Sequence, residues 1–273
     1  MGDYNDYPQR GSAGAHEPTV HLRVLEFHAV HHCNLACEGC SHFAPHAPHE
    51  RVEVQRFQDS VTAAAARLTP TWVHLLGGEP LLHPGLFQLL VDLQQGFPDA
   101  ARKLVTNGTL MAHADDRIYD VLADTRTAVA ISVYPGVIIR PELIEERCRT
   151  HGIALEFWEQ STFLDFLDSS GRSDSREARL NCPMEGAANI NDDRLFPCPV
   201  TAWGQFAGLP TGPAEGMPLS AAASELAWLL DRRRITSCCR FCRPRPARVP
   251  HRRRSATQRG ACPAQAPNSQ SQR

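Results

Sequence analysis

The sequence predicts an α/β fold built on a parallel sheet, and two observations carry that prediction. Apolar, β-branched runs alternate with stretches whose apolar residues recur at helical spacing, the pattern of right-handed β–α–β units. The chemically unusual stretches, HHCNLACEGCSHF, GGEP, VTNG and ISVYPG, each stand where one of the apolar runs ends. Strand ends are where α/β barrels build their sites.

The elements follow in order. Leu22 to Val30, LRVLEFHAV, is a mostly apolar strand that stops just before Cys33. Phe57 to Leu68, FQDSVTAAAARL, reads as a helix, and Trp72 to Pro80, WVHLLGGEP, as a strand ending on a glycine pair. GLFQLLVDLQQGFP has apolar residues at helical spacing and stops at Gly96 and Pro98, as helices do. ARKLVTNGT is a strand running into an Asn-Gly turn. DDRIYDVLADT is a helix and AVAISVYPG the next strand. RPELIEERCRTHG is a helix with Pro141 in its first turn and Gly152 at its end, and Cys148 reads as a buried helix thiol. IALEFWEQ is a fifth strand.

Composition sets the outer limits. The chain has 273 residues, 42% of them hydrophobic, enough for one large domain with a small module. No stretch approaches the ~18 uninterrupted apolar residues of a membrane helix. Residues 1–18 lack a basic region followed by an apolar one, so they read as a disordered leader of a cytoplasmic protein. The net charge of −2 hides an asymmetry, because no acidic residue follows Asp231 while arginine recurs. A basic end raises a nucleic-acid-binding reading. No aromatic platform accompanies those arginines, so residues 249–273 read instead as a solvated, disordered tail.

The ten cysteines call for a reason, since clustered thiols in a reducing compartment more often bind metal than pair. Cys33, Cys37 and Cys40 form one group; Cys182, Cys198, Cys238, Cys239 and Cys242 form another; Cys262 lies alone in the polar tail. A structural zinc site takes four ligands, usually in C-x2-C pairs. Three thiols at C-x3-C-x2-C, flanked by His31, His32 and His42, are one short of that number.

The C-x3-C-x2-C spacing on the loop after a first strand resembles the radical S-adenosylmethionine (SAM) superfamily. GGEP (Gly77 to Pro80) looks like that family's motif for the SAM amino group, and VTNG and ISVYPG match in order at the next two strand ends. The resemblance implies a partial (β/α)6 TIM-like barrel over 19–165. It implies a [4Fe–4S] cluster on Cys33, Cys37 and Cys40, with one iron left open to SAM. Gly77 and Gly78 would let backbone approach that ligand, and Glu79 would accept from its ammonium group. Asn107 and Ser132 would line the pocket; for Asn107 the other reading is the positive-φ residue of its turn. The family's aromatic residue before the third cysteine is Gly39 in this chain, and Phe43 is the candidate to cover the cluster instead.

The second cysteine group surrounds a hairpin signal, ANIN-DD-RLFPC, with Asp193 where a hairpin glycine is usual. Cys–hairpin–Cys followed by C-x2-C resembles the twitch module, the short form of the SPASM domain. That resemblance implies a C-terminal module over 166–248 with a second [4Fe–4S] cluster on Cys182, Cys198, Cys239 and Cys242. A zinc ribbon on the same thiolates is the alternative. Five thiols for four places leave Cys182 or Cys238 as a free thiol, a candidate hydrogen-atom donor.

Together these resemblances imply a radical SAM epimerase. It would take a hydrogen atom from a carbinol carbon of an aminoglycoside or aminocyclitol and return one from a cysteine. A dehydrogenase making the ketone from the same alcohol is the alternative, and a non-catalytic Fe–S or zinc protein that binds nucleic acid is an alternative of another class. The enzymatic readings imply an external one-electron reductant of flavodoxin or ferredoxin type, and no membrane partner. His42, His46, Tyr134, Trp158, Glu159 and Glu185 lie near the expected site-facing ends.

Overall fold

The computed structural model describes residues 19–253. The expected leader, most of the expected tail and Cys262 lie outside those residues. Among the described residues no helix is long and apolar enough to cross a membrane.

The first part alternates as expected: β1 (Val20–Val30), α1 (Val54–Ala65), β2 (Leu68–Gly77), α2 (Leu86–Gly96), β3 (Ala101–Thr106), α3 (Asp116–Asp124), β4 (Thr127–Val133), α4 (Pro141–Thr150) and β5 (Leu155–Glu159). The caps are local chemistry. Asp115 accepts from the Arg117 N–H at the start of α3, and Pro141 opens α4, where no donor is needed. The second part is β6 (Thr162–Leu167), α5 (Ser175–Leu180), β7 (Ala187–Asn191), β8 (Arg194–Phe196), α6 (Pro199–Trp203), β9 (Met217–Pro218), α7 (Ala223–Leu230) and β10 (Cys242–Pro250).

One mixed sheet runs β5-β4-β3-β2-β1-β7-β8-β9. Strands β1 to β5 are mutually parallel, and β7 joins parallel to β1. This differs from a run of six consecutive β/α units, because the sixth parallel strand lies beside β1 and not beyond β5. After β5 the chain turns at once into β6, which pairs antiparallel with β10 in a separate ribbon. β6 thus crosses the boundary expected at 165, and the hairpin of the second part is continuous with the main sheet.

Strand alternation sorts the side chains. Leu25, Phe27, Val73, Leu75, Leu104, Val129 and Ile131 face α1–α4 and fill the main core with Phe57, Leu89, Leu90 and Tyr119. The face opposite the helices carries Glu26, His28, His74 and Lys103. A second core, with Phe43, Phe166, Phe196, Trp203, Cys238 and Phe241, lies under the second part. Cys148 is 1% exposed on α4, as its helix position suggests.

Residues 249–253 are not the start of a free tail. Val249 and Pro250 finish β10, paired with Phe163 and Thr162. Beyond them the Arg252 carbonyl accepts from the Glu38 N–H at 2.9 Å, and Arg253 Nη2 donates to the Gly136 carbonyl at 2.8 Å.

Candidate active site

A cavity of about 450 Å³ opens at the C-terminal ends of β1 to β5, on the face opposite the helices. Cys33, Cys37 and Cys40 line it, and so do Gly77, Gly78, Asn107 and Ser132. The structure therefore brings to one wall four of the five residues expected to hold a cofactor.

The glycine pair also makes room for a backbone crossing. A Cβ on Gly77 would collide with the Val30 carbonyl, and one on Gly78 with the His32 carbonyl and the Cys33 N–H. Gly77 also has φ +137, which side chains rarely adopt. The missing side chains let the cysteine loop cross directly over the end of β2. Gly78 N–H donates to the Val30 carbonyl at 2.9 Å and Glu79 N–H to the His32 carbonyl at 3.1 Å, which roots that loop.

Glu79 is fully buried and does not line the cavity. Its Oε1 accepts from Thr106 Oγ1 at 2.7 Å and Leu81 N at 3.1 Å, and its Oε2 from Asn107 N at 2.9 Å. Burial pushes its carboxyl up to about 6 against those bonds. Asn107 is not the positive-φ residue of its turn; Gly108 is, at φ +75. The Asn107 side chain instead donates to Cys33 Sγ at 3.5 Å and to Asn34 Oδ1 at 2.8 Å. Ser132 lines the wall beside Tyr134. The aromatic ring beside Gly39 is Phe163, 3.6 Å from where a Cβ would stand; Phe43 turns away into the second core.

Burial pushes the Cys33 and Cys37 thiols up to about 12 and raises Cys40 as well. Such thiols ionise only when a cationic group compensates the charge, as thiolate ligands do on binding metal. Among the described residues no three His, Cys, Asp or Glu side chains converge tightly enough to hold a single metal ion. A four-iron cluster takes its thiolates at separate corners, and three thiols around a roomy cavity, Cys37 buried and Cys33 and Cys40 half-buried, fit that group.

Of the six further candidates, His42, Tyr134 and Trp158 line the cavity, while His46 lines the neighbouring one. Glu159 is exposed at the end of β5, and Glu185 pairs with Arg232 at 3.2 Å. Sequence reasoning missed four residues here. Glu26 and His74 line the cavity. Asn189 Nδ2 bonds Glu26 Oε2 at 3.1 Å. His251 Nε2 lies 3.2 Å from Cys37 Sγ, with its ring stacked on Tyr134 at 4.8 Å. Glu26 and His74 are polar residues flanked on both sides by apolar ones in their strands, Leu25 and Phe27 on β1 and Val73 and Leu75 on β2, which is the signal that could have found them.

All five cysteines of the second group line one small cavity of about 40 Å³. Cys198 ends the β7–β8 hairpin, whose left-handed residue is Asp192, at φ 57, and not Asp193. Cys238 is 1% exposed and lies 3.0 Å from Thr236 Oγ1. Packed with Cys198 and Cys239 around that cavity, Cys238 holds its proton while those two neighbours are drawn down. The donor set fits a thiolate-held cluster, and loading one would have to widen the pocket. None of these thiols lines the first cavity, although Phe166 and Met184 form wall in both.

No family model matches the chain, and no curated protein matches it. Among solved structures, BtrN in complex with AdoMet and 2-DOIA aligns with a TM-score of 0.50 at 10% identity, over 81% of this chain and 92% of that one. The anSMEcpe structure with bound AdoMet aligns at 0.40 and 18% identity, over 50% of this chain and 43% of that one. SuiB from Streptococcus suis aligns at 0.37 and 12% identity, over 77% of this chain and 66% of that one. The match thus spans less than half the length of anSMEcpe. At these identities the comparison establishes a fold shared with BtrN, an α/β fold with a large parallel sheet.

Proposed function

We propose that the chain is a radical SAM enzyme that removes a hydrogen atom from a carbinol carbon of an aminoglycoside or aminocyclitol. One observation carries this reading: Cys33, Cys37, Cys40, the Gly77–Gly78 turn, Asn107 and Ser132 all line a single cavity. The BtrN structure, which shares the fold, was determined with AdoMet. A [4Fe–4S] cluster on Cys33, Cys37 and Cys40 would supply the electron that cleaves SAM to a 5′-deoxyadenosyl radical. The protein's part is to hold and shield. Asn107 fixes Cys33, the glycine pair roots the cysteine loop, and Phe163 and Tyr134 cover the wall with apolar surface that excludes water.

The fate of the substrate radical separates two outcomes. Epimerisation needs a hydrogen donor at the cavity wall, and neither Cys182 nor Cys238 lines that wall. Oxidation to a ketone needs only proton loss and a one-electron acceptor, a role for a second cluster on Cys182, Cys198, Cys239 and Cys242. The geometry favours the dehydrogenase outcome. If a thiol does serve as donor, Cys182 is the better candidate, because it is partly exposed and stands two residues from Met184.

Anaerobic reconstitution and reduction test the reading. The protein should form 5′-deoxyadenosine, and changing Cys33, Cys37 and Cys40 together to Ala should abolish it and lower bound iron by about four per chain. Retention of SAM cleavage would sink the assignment. With a turned-over aminocyclitol, a ketone free of solvent deuterium identifies the dehydrogenase; one deuterium at an inverted carbon in D2O identifies the epimerase.

A further inference from the structure

The face opposite the helices carries a polar row. Register places Asn189 and His74 directly across from Glu26 on β7 and β2, and Lys103 across from His74 on β3. Glu26 is 7% exposed, Lys103 5% and Asn189 0%. Polar groups buried in this way cost free energy unless they are partnered. Lys103 is partnered: its Nζ lies 2.8 Å from Glu156 Oε1 and over the Trp72 ring at 4.3 Å.

Glu26 is only half partnered. Its Oε2 accepts from Asn189 Nδ2 at 3.1 Å and lies 3.4 Å from His42 Nε2. Asn189 is itself held by Trp203 Nε1, which donates to its Oδ1 at 2.8 Å. Among the described residues Glu26 Oε1 makes no hydrogen bond, and His74 Nδ1 stands 3.9 Å from it, beyond hydrogen-bond reach. No lysine or arginine among the described residues pairs with this carboxylate. Burial holds His74 below its ordinary value against the opposing pull of the Glu26 carboxylate, which leaves its ring neutral near pH 7. Both side chains line the cavity that holds the three cysteines. A carboxylate oxygen and a neutral ring nitrogen 3.9 Å apart are spaced for one donor to bridge them.

We propose that Glu26 and His74 form the subsite for a protonated primary amine of the substrate. The ammonium group donates to Glu26 Oε1 and to His74 Nδ1, and supplies a positive charge to face Glu26, since the row's own Lys103 is taken up by Glu156. The Trp158 ring on the same wall gives an apolar face to the C–H surface of a cyclitol or sugar. Discrimination follows: a polyol of the same shape without the amine leaves the carboxylate oxygen unpaired. The inference rests on the cavity being the substrate site, and it names the chemical group that site reads.

Calorimetric titration of the reconstituted protein, with SAM present and oxygen excluded, tests it with 2-deoxystreptamine, neamine and myo-inositol as probes. Wild-type protein should bind one of the two amines at least about tenfold more tightly than the polyol. Glu26→Gln should erase that preference while leaving polyol binding and the thermal midpoint near wild type. Should Glu26→Gln fail to give a cooperative melt, Glu26→Asp keeps the charge and should keep part of the preference. Equal binding of amines and polyol by wild type, or an intact preference in Glu26→Gln, overturns the assignment. SAM cleavage by the reduced wild-type protein separates the two readings: cleavage without amine preference removes Glu26 and His74 from the account and leaves the radical SAM reading standing. Absence of cleavage removes that reading itself.

Discussion

Glu79 has three protein donors on its two carboxylate oxygens, so it works as a strut between the GGEP turn and the end of β3. Its carboxyl is raised from 4.5 to about 6, mainly by burial. A folded-state value above the unfolded one means stability that is present below pH 4.5 and lost as pH rises through about 6. A rise of that size corresponds to about 2 kcal/mol. Glu79→Gln removes the ionisation but sets its amide N–H₂ against a donor, either Asn107 N–H or the Leu81 N–H and Thr106 hydroxyl. The stability advantage of wild type over this variant should therefore shrink by about 2 kcal/mol between pH 4.5 and pH 7.5, read by urea unfolding at each pH. An advantage that stays constant would show that Glu79 does not ionise in that window. At this scale the sequence reveals residue types better than their roles. Gly-Gly-Glu-Pro was visible as a special turn, but the carbonyls its glycines avoid belong to Val30 and His32, more than forty positions earlier, and no local pattern encodes that crossing.

Among the elements, β10 is the one whose reading changes most. Its sequence, CRPRPARVP, has prolines at 244, 246 and 250 and only Cys242, Ala247 and Val249 as other apolar side chains, so it carries no strand signal, and the tail expected from 249 begins inside it. The strand is possible because it pairs on one side only, with β6, and its register breaks between Cys242 and Ala247, where Pro244 and Pro246 stand. The strands and helices from β1 to β5 were legible for the opposite reason: each packs one apolar face on a shared core, so its periodicity is written locally. After Pro250 the chain crosses the cysteine loop, with His251 on Cys37, Arg252 on Glu38 and Arg253 on Gly136. Truncation after Val249 should therefore loosen that loop, against the expectation for a free tail. The Glu38 amide should exchange its hydrogen about tenfold faster once the Arg252 carbonyl is gone. Iron held by the first cysteine group after reconstitution should fall. Unchanged exchange at Glu38 and unchanged iron would show that the crossing segment carries no restraint.

Across the whole molecule, the second part is tied into the main sheet at its centre. β7 pairs along β1 from Val24 to Phe27, and Asn189 on β7 reaches Glu26. Trp203, on α6, donates to Asn189 and stacks on His28 of β1 at 3.9 Å with an interplanar angle of 13°. Cys238 belongs to the same second core as Trp203. A second part that merely followed the first five strands could unfold alone; one that shares a sheet and a buried hydrogen-bond chain with β1 should not. Changing Trp203 to Phe keeps most of the ring but strips the donor from a fully buried Asn189 oxygen, which costs about 1–3 kcal/mol. With Trp228 also changed to Phe, Trp72 and Trp158 are the indoles that remain, and both report the first five strands. Their fluorescence and mass-mapped labelling of the Cys238 thiol should then follow the same urea curve, displaced as one to lower urea relative to the Trp228→Phe protein. Coincident midpoints mean that removing one hydrogen bond in the second part destabilises the first five strands equally, because β1 is common to both. If the Cys238 thiol becomes reactive at a urea concentration where the two indoles are still native, the parts are separate cooperative units, and the β1–β7 pairing does not couple them.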